Sequence, residues 1–155
     1  MKRIVSLACL VVLIVGAAAW MQSPQPKPYK VVFDLTSADP LDQRAVLRWI
    51  KEVSGVNPKT EMEVVMYARG LELVTSGKTT MASEVAEAMK SANARFSVCA
   101  IAMKNQNVDK SQLLPNVEVV PDGIGEIVAR QTTGWVTSKP AIEKAKHPAE
   151  DKPRI

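Results

Sequence analysis

The chain has 155 residues, 46% hydrophobic and 23% charged, which is enough for one globular domain and no more. Two Cys and one His exclude a disulfide-rich scaffold and a zinc-cluster protein. The formal net charge of +4 comes from the two ends, because residues 20–138 hold 13 basic and 13 acidic side chains. Nucleic acid is not expected as a partner, since phosphate binding needs clustered Lys and Arg.

The first 19 residues have the pattern of an export signal. Two basic residues precede an apolar run from Ile4 to Val15, and three alanines end at Ala19. We therefore expect cleavage after Ala19 and a mature protein that works in a periplasm. An anchor kept in the cytoplasmic membrane is the alternative, because residues 4–21 reach the lower length limit for spanning a bilayer. Residues 20–29 contain three Pro and predict an extended linker.

A strand and an amphipathic helix are predicted to open the domain. The β-rich run from Tyr29 to Thr36 is the first strand. Asp39 is expected to cap the following helix, which Pro40 begins. The apolar stripe of this helix, at positions i, i+3, i+4 and i+7, consists of Val46, Trp49, Ile50 and Val53.

The middle of the chain predicts two more strands around a second helix. Residues 61–68 form the second strand, and residues 70–76 a short helical turn. The second helix begins at Met81, and its inner face is predicted to contain Ala82, Val85, Ala86 and Met89. Residues 95–103 are almost all apolar, as in a strand that is buried on both faces.

The end of the domain is predicted to hold a loop, a fourth strand and a last helix. The loop with a helical turn covers residues 104–114, and the strand covers residues 117–120. The helix runs from Ile124 to about Thr133, with an inner face of Ile124, Ile127, Val128 and Gln131. Residues 139–155 are charged and Pro-rich without periodicity, so we expect a disordered tail.

This order of elements predicts the fold class. Buried strands that alternate with amphipathic helices indicate an α/β domain over residues 30–138, with three layers, a mostly parallel sheet and helices on both faces. In such sheets functional groups gather at the carboxyl ends of the strands. Candidate site residues should therefore follow the strands directly.

Cys99 is the first candidate for chemistry. It is the one Cys that remains after cleavage at Ala19, so it cannot form an intramolecular disulfide. It lies toward the carboxyl end of the strand expected to be central, where Lys104 would favour the thiolate if it points inward. A packing role is the alternative, because Cys is among the most often buried residue types.

Other motifs are less specific. The turn at residues 123–125 resembles a phosphate-binding turn, but Val128 stands where a third glycine would fall, and a capped strand-to-helix turn is the alternative. Trp135 either closes the core or lies in a subunit interface. Arg69 could place a cation at the carboxyl edge or be an ordinary surface residue. The sequence holds no cofactor motif, metal-ligand spacing or catalytic triad, and its single His147 lies in the tail.

Three segments together resemble the DsrE/DsrF-like sulfur-relay family, particularly its exported single-domain members. They read KVVFDLTSADP, EMEVVMYARGLELV and residues 94–135, so the resemblance runs over about residues 30–140. The most specific part is the order of FSVC, LLP, VVPDG, Gln131 and Gly134-Trp135. Exported relatives often have His-Gly or a Gly-Pro-Gly-like turn after the second strand, where this chain has Ala68-Arg69-Gly70.

The resemblance implies a flavodoxin-like α/β fold that self-associates as trimers or hexamers. Trp49, Trp135, Met62 and Met66 also favour self-association, since a small sheet needs fewer large apolar groups. The resemblance further implies that Cys99 accepts sulfane sulfur as a persulfide and passes it on, with no cofactor or metal.

Two functional hypotheses follow from these observations. The first is a periplasmic persulfide carrier with a sulfur donor or acceptor protein as its partner. In it, Arg69 and Lys104 favour the thiolate and an anionic donor, while Asn105 and Asn107 donate hydrogen bonds. The second is a non-catalytic oligomeric binding or assembly module in which Cys99 is a core residue.

Overall fold

The computed structural model describes residues 27–140, except for the side chain of Ser91. The predicted signal, most of the predicted linker and residues 141–155 of the predicted tail lie outside the described residues. Within residues 27–140, no helix has the length and apolarity needed to cross a bilayer.

Strands and helices alternate along the described chain. In order they are β1 (Lys30–Leu35), α1 (Pro40–Val56), β2 (Glu61–Met66), a 3₁₀ helix (Ala68–Val74), α2 (Ala82–Ser91), β3 (Ala94–Cys99), α3 (Ala100–Asn105), a second 3₁₀ helix (Lys110–Gln112), β4 (Glu118–Val120), α4 (Gly123–Thr132) and β5 (Val136–Ser138).

The strands form one parallel sheet in the order β4-β3-β2-β1-β5. The first four strands are added in one direction, and β5 then pairs on the other side of β1. Because βαβ crossovers are right-handed, this reversal puts α1 and α2 on one face of the sheet and α4 on the other. The predicted α/β fold with a parallel sheet and helices on both faces is confirmed.

The two faces of the sheet carry cores of different size. On the α1 face, Val46 and Ile50 of the predicted stripe are fully buried against strand residues such as Phe33. On the α4 face, a smaller cluster contains Val32, Val65, Ile127 and Trp135. Asp39 caps α1 as predicted, because its carboxylate accepts a hydrogen bond from the Leu41 amide at 2.9 Å.

The third strand is shorter than the sequence predicts. It ends at Cys99, and α3 begins at Ala100 within the apolar run that was expected to continue the strand to Met103. Ala102 and Met103 are buried, but they pack from a helix. An unbroken apolar run does not distinguish a buried strand from a buried helical turn, which explains the error.

The inner faces of the last two long helices also differ from the prediction. On α4 the buried residues are Gly123 and Ile127, whereas Ile124 and Val128 are more than half exposed. On α2, Val85 is buried as predicted, but Ala82 and Ala86 are exposed and Ala88 is buried instead. The prediction assigned each inner face from apolar spacing alone, which does not fix the phase of the buried stripe, and exposed apolar side chains are common on protein surfaces.

Two further differences concern the end of the domain. The strand β5 was not predicted, because three residues with mostly exposed side chains carry too little pattern. Trp135 is 6% exposed within a single protomer, so it closes the core and does not supply a subunit interface. Met62 and Met66 are likewise buried, which removes three of the four residues that favoured self-association.

Candidate functional site

Cys99 lies at the floor of a pocket of about 640 Å³ at the carboxyl edge of the sheet. It is the last residue of β3, which pairs with β2 on one side and β4 on the other. Only 4% of its surface is exposed, so the pocket is its route to solvent. The walls come from the segment after β2, from α3 and from the start of α4, and consist of Tyr67, Ala68, Arg69, Ile101, Ala102, Asn105, Gln106, Asp122 and Ile124.

One wall of the pocket depends on a tight crossing after β2. Gly70 is required there because a Cβ at this position would lie 2.0 Å from the carbonyl oxygen of Leu35. Ala68 has a φ of +46°, which is left-handed, and its carbonyl oxygen accepts a hydrogen bond from the side-chain amide of Gln106. The segment after β2 is thereby fixed against both β1 and α3.

Gly123 brings the start of α4 directly over the thiol-bearing residue. A Cβ at Gly123 would lie 3.2 Å from Cβ of Cys99 and 3.2 Å from Cδ1 of Tyr67. The φ of Gly123 is not positive, so close packing and not backbone freedom explains this glycine.

The turn before α4 is a capped helix start. The carboxylate of Asp122 accepts hydrogen bonds from the amides of Ile124 at 3.1 Å and Gly125 at 3.2 Å. These amides are the donors that a phosphate would need. The turn is therefore a capped helix start. It differs from a phosphate-binding turn because the amides of Ile124 and Gly125 are already bonded to Asp122.

Two of the four predicted pocket residues line the pocket. Arg69 and Asn105 do, whereas Lys104 and Asn107 do not. Residues 101, 102 and 105 lie within one arc of about 100° on α3, and position 104 falls outside this arc, about 60° beyond residue 101. The sequence prediction took Lys104–Asn107 as a loop, which is why it could not separate these positions.

The charges of the pocket are already partly paired. Arg69 Nε lies 3.1 Å from Glu72 Oε1, and 72% of the Arg69 side chain is exposed. Asp122 adds a carboxylate to the wall. The remaining walls are mainly apolar, so the pocket offers little to attract an anion.

A second polar group flanks the pocket, and the sequence prediction did not pair its two residues, Asp34 and Tyr67. The hydroxyl of Tyr67 donates a hydrogen bond to Asp34 Oδ2 at 3.2 Å, and Lys139 Nζ lies 3.7 Å from the same oxygen. Burial first, and then the charge and hydrogen bond of Asp34, raise the pKa of Tyr67. The sequence pattern does not indicate this pair, because Asp34 lies opposite Val65 in the sheet and Tyr67 follows the end of β2.

Below α4 lies a buried ion pair that the sequence prediction also missed. Glu63 is fully buried, accepts a hydrogen bond from the Ser97 hydroxyl at 2.7 Å and has Arg130 Nε 2.5 Å from its other oxygen. Arg130 Nη2 lies 2.8 Å from Glu126 Oε1, and the Arg130 guanidinium is 5.0 Å from the centre of the Trp135 ring. This network attaches α4 to the sheet.

No metal site accompanies the pocket in the described part of the chain. Residues 27–140 hold no group of three or more His, Cys, Asp or Glu side chains that could bind a metal ion. Cys99 is the one strong nucleophile among the residues that line the pocket. The chemistry that this arrangement can support is attack by a thiolate on a group that enters the pocket.

Comparisons with known proteins agree with the fold. The sequence profile described as the DsrE/DsrF-like family matches residues 30–137. A structure titled as a protein of unknown function, MTH1491 from Methanobacterium thermoautotrophicum, is similar with a TM-score of 0.69 and 28% identity, covering 72% of this chain and 99% of that one. The ychN protein from E. coli has a TM-score of 0.59 at 10% identity, covering 72% and 100%, and shows the fold alone. No curated protein matches.

Proposed function

The chain belongs to the DsrE/DsrF-like family, a membership that suggests sulfur relay, and from this premise we propose that it carries sulfane sulfur as a persulfide on Cys99. The observation that carries the proposal is the position of Cys99, which ends an inner strand at the floor of a pocket. The thiolate attacks the outer sulfur of a donor R–S–SH. The donor S–S bond breaks, R–S⁻ leaves, and Cys99–S–SH forms.

The size of the pocket supports this proposal. A persulfide lengthens the side chain by one S–S bond of roughly 2.05 Å, which a pocket of about 640 Å³ accommodates. The outer sulfur would then stand nearer the opening than the sulfur of the thiol. A second thiol that enters the pocket could attack it and receive the sulfur, which restores the Cys99 thiolate.

A packing role for Cys99 is the second candidate function, and its low exposure favours it. In this case the domain would be a binding module, and Cys99 would be a small apolar group of the core. The two candidates differ in thiol reactivity. A carrier should be labelled by a thiol reagent near neutral pH in the native state, whereas a packing cysteine should be labelled only on unfolding.

The test of the proposed function is the intact mass of the folded protein before and after exposure to a sulfane donor. A Cys9→Ala background leaves Cys99 as the single thiol, whether or not the predicted signal is removed. We expect a gain of one or more whole sulfur atoms that a reductant reverses, and no gain in Cys99→Ser. A folded Cys99→Ser protein that gains sulfur, or a parent protein that gains none from any donor, would contradict the proposal.

We further propose that the protein is exported to a periplasm after removal of residues 1–19. The support is the sequence pattern of a basic start, an apolar run and small residues before Trp20. The full chain, expressed in a bacterium, should appear in the periplasmic fraction with a mass that lacks these residues. Full-length protein in the membrane fraction would instead establish the anchor.

Self-association as trimers or hexamers is a proposal from family membership. Sedimentation at micromolar concentration should give a mass above that of one chain, and a monomer would contradict this proposal.

A further inference from the structure

We infer that the pocket selects a sulfur donor R–S–SH whose organic group R is apolar, and that an inorganic dianion such as thiosulfate is a poor donor. This inference rests on the proposed function of Cys99 and adds the chemical class of its substrate. It replaces the anionic donor that the sequence prediction favoured.

The apolar walls of the pocket favour a donor with an apolar R group. Ile101 is 54% exposed and Ile124 is 59% exposed, and both line the pocket that leads to Cys99. They come from two different helices, α3 and α4. The Tyr67 ring, Ala68 and Ala102 add further apolar surface to the same pocket. An apolar R group would cover these side chains and remove them from water, which stabilises the bound donor.

The charges that line the pocket disfavour a dianionic donor. Arg69 is the cation among the residues that line the pocket in the described part of the chain, and Glu72 already pairs with it at 3.1 Å. Asp122 contributes a carboxylate to the same wall. Glu72 already offsets part of the charge of Arg69, so Arg69 attracts an entering dianion less strongly, and Asp122 repels it.

Several neutral hydrogen-bond donors of the pocket are already engaged and cannot bind an anion. The Gln106 side-chain amide donates its hydrogen bond to the carbonyl oxygen of Ala68. The amides at the start of α4, on Ile124 and Gly125, donate to Asp122. These donors, which usually bind an oxyanion, are therefore bonded within the protein, and among the described residues Asn105 is the remaining side-chain amide that lines the pocket.

The chemical step is the same for each donor and differs only in the leaving group. With R–S–SH, the Cys99 sulfur forms a bond to the outer sulfur, and R–S⁻ departs with the electron pair of the broken S–S bond. With thiosulfate, the leaving group is sulfite. Sulfane sulfur moves between sulfur atoms in both cases, so no outside oxidant or reductant is needed.

The experiment compares three donors on the Cys9→Ala protein: benzyl hydropersulfide, glutathione hydropersulfide and thiosulfate. The rate of sulfur gain on Cys99 is followed by intact mass, and each rate is divided by that of the same donor with free cysteine. We expect benzyl hydropersulfide to exceed glutathione hydropersulfide by about tenfold, which is the effect of roughly 1.4 kcal/mol of burial, and thiosulfate to be slowest. Equal normalised rates, or a faster charged donor, would overturn the inference.

Two variants test the walls separately. Ile124→Ser should lower the ratio of the benzyl hydropersulfide rate to the glutathione hydropersulfide rate about fivefold, because the apolar group is the one that covers this side chain. The matched control is Val128→Ser on the same helix, since Val128 is equally exposed and does not line the pocket. The same loss of rate in both variants would contradict the role of Ile124.

Asp122→Asn tests the charge, because Asn also caps helices well and keeps an oxygen acceptor. It should raise the ratio of the thiosulfate rate to the benzyl hydropersulfide rate about threefold, since it removes one nearby negative charge. The matched control is Asp109→Asn, another capping carboxylate, which lies outside the pocket. Two failures can be told apart by these rates. If the donor rates are equal or reversed in order, the inference about the donor is wrong. If no donor transfers sulfur to Cys99, the proposed function is wrong.

Discussion

A Cβ at Gly123 would stand 3.2 Å from Cβ of Cys99, so the start of helix α4 packs on the residue that bears the thiol so closely that a methyl group would have to displace its neighbours by a few tenths of an ångström. The same Cβ would lie 3.2 Å from the Tyr67 ring. The helix start, the end of β3 and the end of β2 thus meet at one contact. The shape of the Cys99 pocket depends on how closely α4 approaches.

We predict that Gly123→Ala shifts the start of α4 and disturbs the pocket. The added methyl group would contact Cβ of Cys99 and the side chain of Tyr67 and must push them apart. The free energy of unfolding, measured by urea titration, should therefore fall by about 1–3 kcal/mol. The rate of Cys99 labelling by a thiol reagent should change in the same variant.

The control for this substitution is Gly55→Ala in α1. A Cβ at Gly55 meets nothing within 4 Å, so alanine should raise the free energy of unfolding by about 0.5–1 kcal/mol. If both substitutions stabilise the protein, the start of α4 does not pack closely on Cys99.

Ala68 provides a second prediction, because a left-handed φ of +46° is strained for alanine. Ala68→Gly should relieve this strain, although glycine also adds entropy to the unfolded chain. The net expectation is a gain of about 0.5 kcal/mol in the free energy of unfolding. Ala102→Gly in α3, where no such strain exists, should instead cost about 1 kcal/mol. A loss of stability in Ala68→Gly would contradict this account of the turn.

Tyr67 leads to a prediction about alkaline pH. Burial and the neighbouring Asp34 raise its pKa, so the folded state favours the protonated hydroxyl. This contribution to stability is fully present below about pH 10, the unfolded value, and is lost as the pH rises through the folded pKa. Urea titrations at pH values from about 9 to 11 should show the decline.

Tyr67→Phe should flatten that decline and cost about 0.5–1.5 kcal/mol near neutral pH. The substitution removes the hydrogen bond to Asp34 Oδ2, and Asp34 Oδ1 already has no hydrogen-bond partner among the described residues. Tyr29→Phe, at a tyrosine that is 43% exposed, is the matched control. The interpretation fails if Tyr67→Phe keeps the full alkaline slope of the parent protein.

The sequence predicted the parts of this structure that depend on periodicity and on strand order. The stripe of α1, the parallel sheet and the position of Cys99 at a carboxyl end follow from repeating apolar positions and from the alternation of elements. The point at which β3 becomes α3 was not predictable, because both sides of Cys99 are apolar.

Pairwise tertiary contacts were beyond the same reasoning. Lys104 and Asn105 are adjacent, and only the phase of a helix that was predicted as a loop decides which one faces the pocket. The pairing of Glu63 with Arg130 joins residues 67 positions apart, and no local pattern indicates it. Glu63 in a buried strand was the available hint, since a carboxylate there requires a partner.

That pairing gives the last prediction. Arg130→Met should remove the cation that pairs with the fully buried Glu63 carboxylate, which keeps its hydrogen bond from the Ser97 hydroxyl, at a cost of about 3–5 kcal/mol in the free energy of unfolding. The double variant Glu63→Met, Arg130→Met should lose less than Arg130→Met alone, because it buries no unpaired charge. As a surface control, Arg48→Met breaks an exposed pair with Glu52 at 3.5 Å and should cost at most about 0.5 kcal/mol. Equal losses in Arg130→Met and Arg48→Met would mean that the pair under α4 does not hold the helix to the sheet.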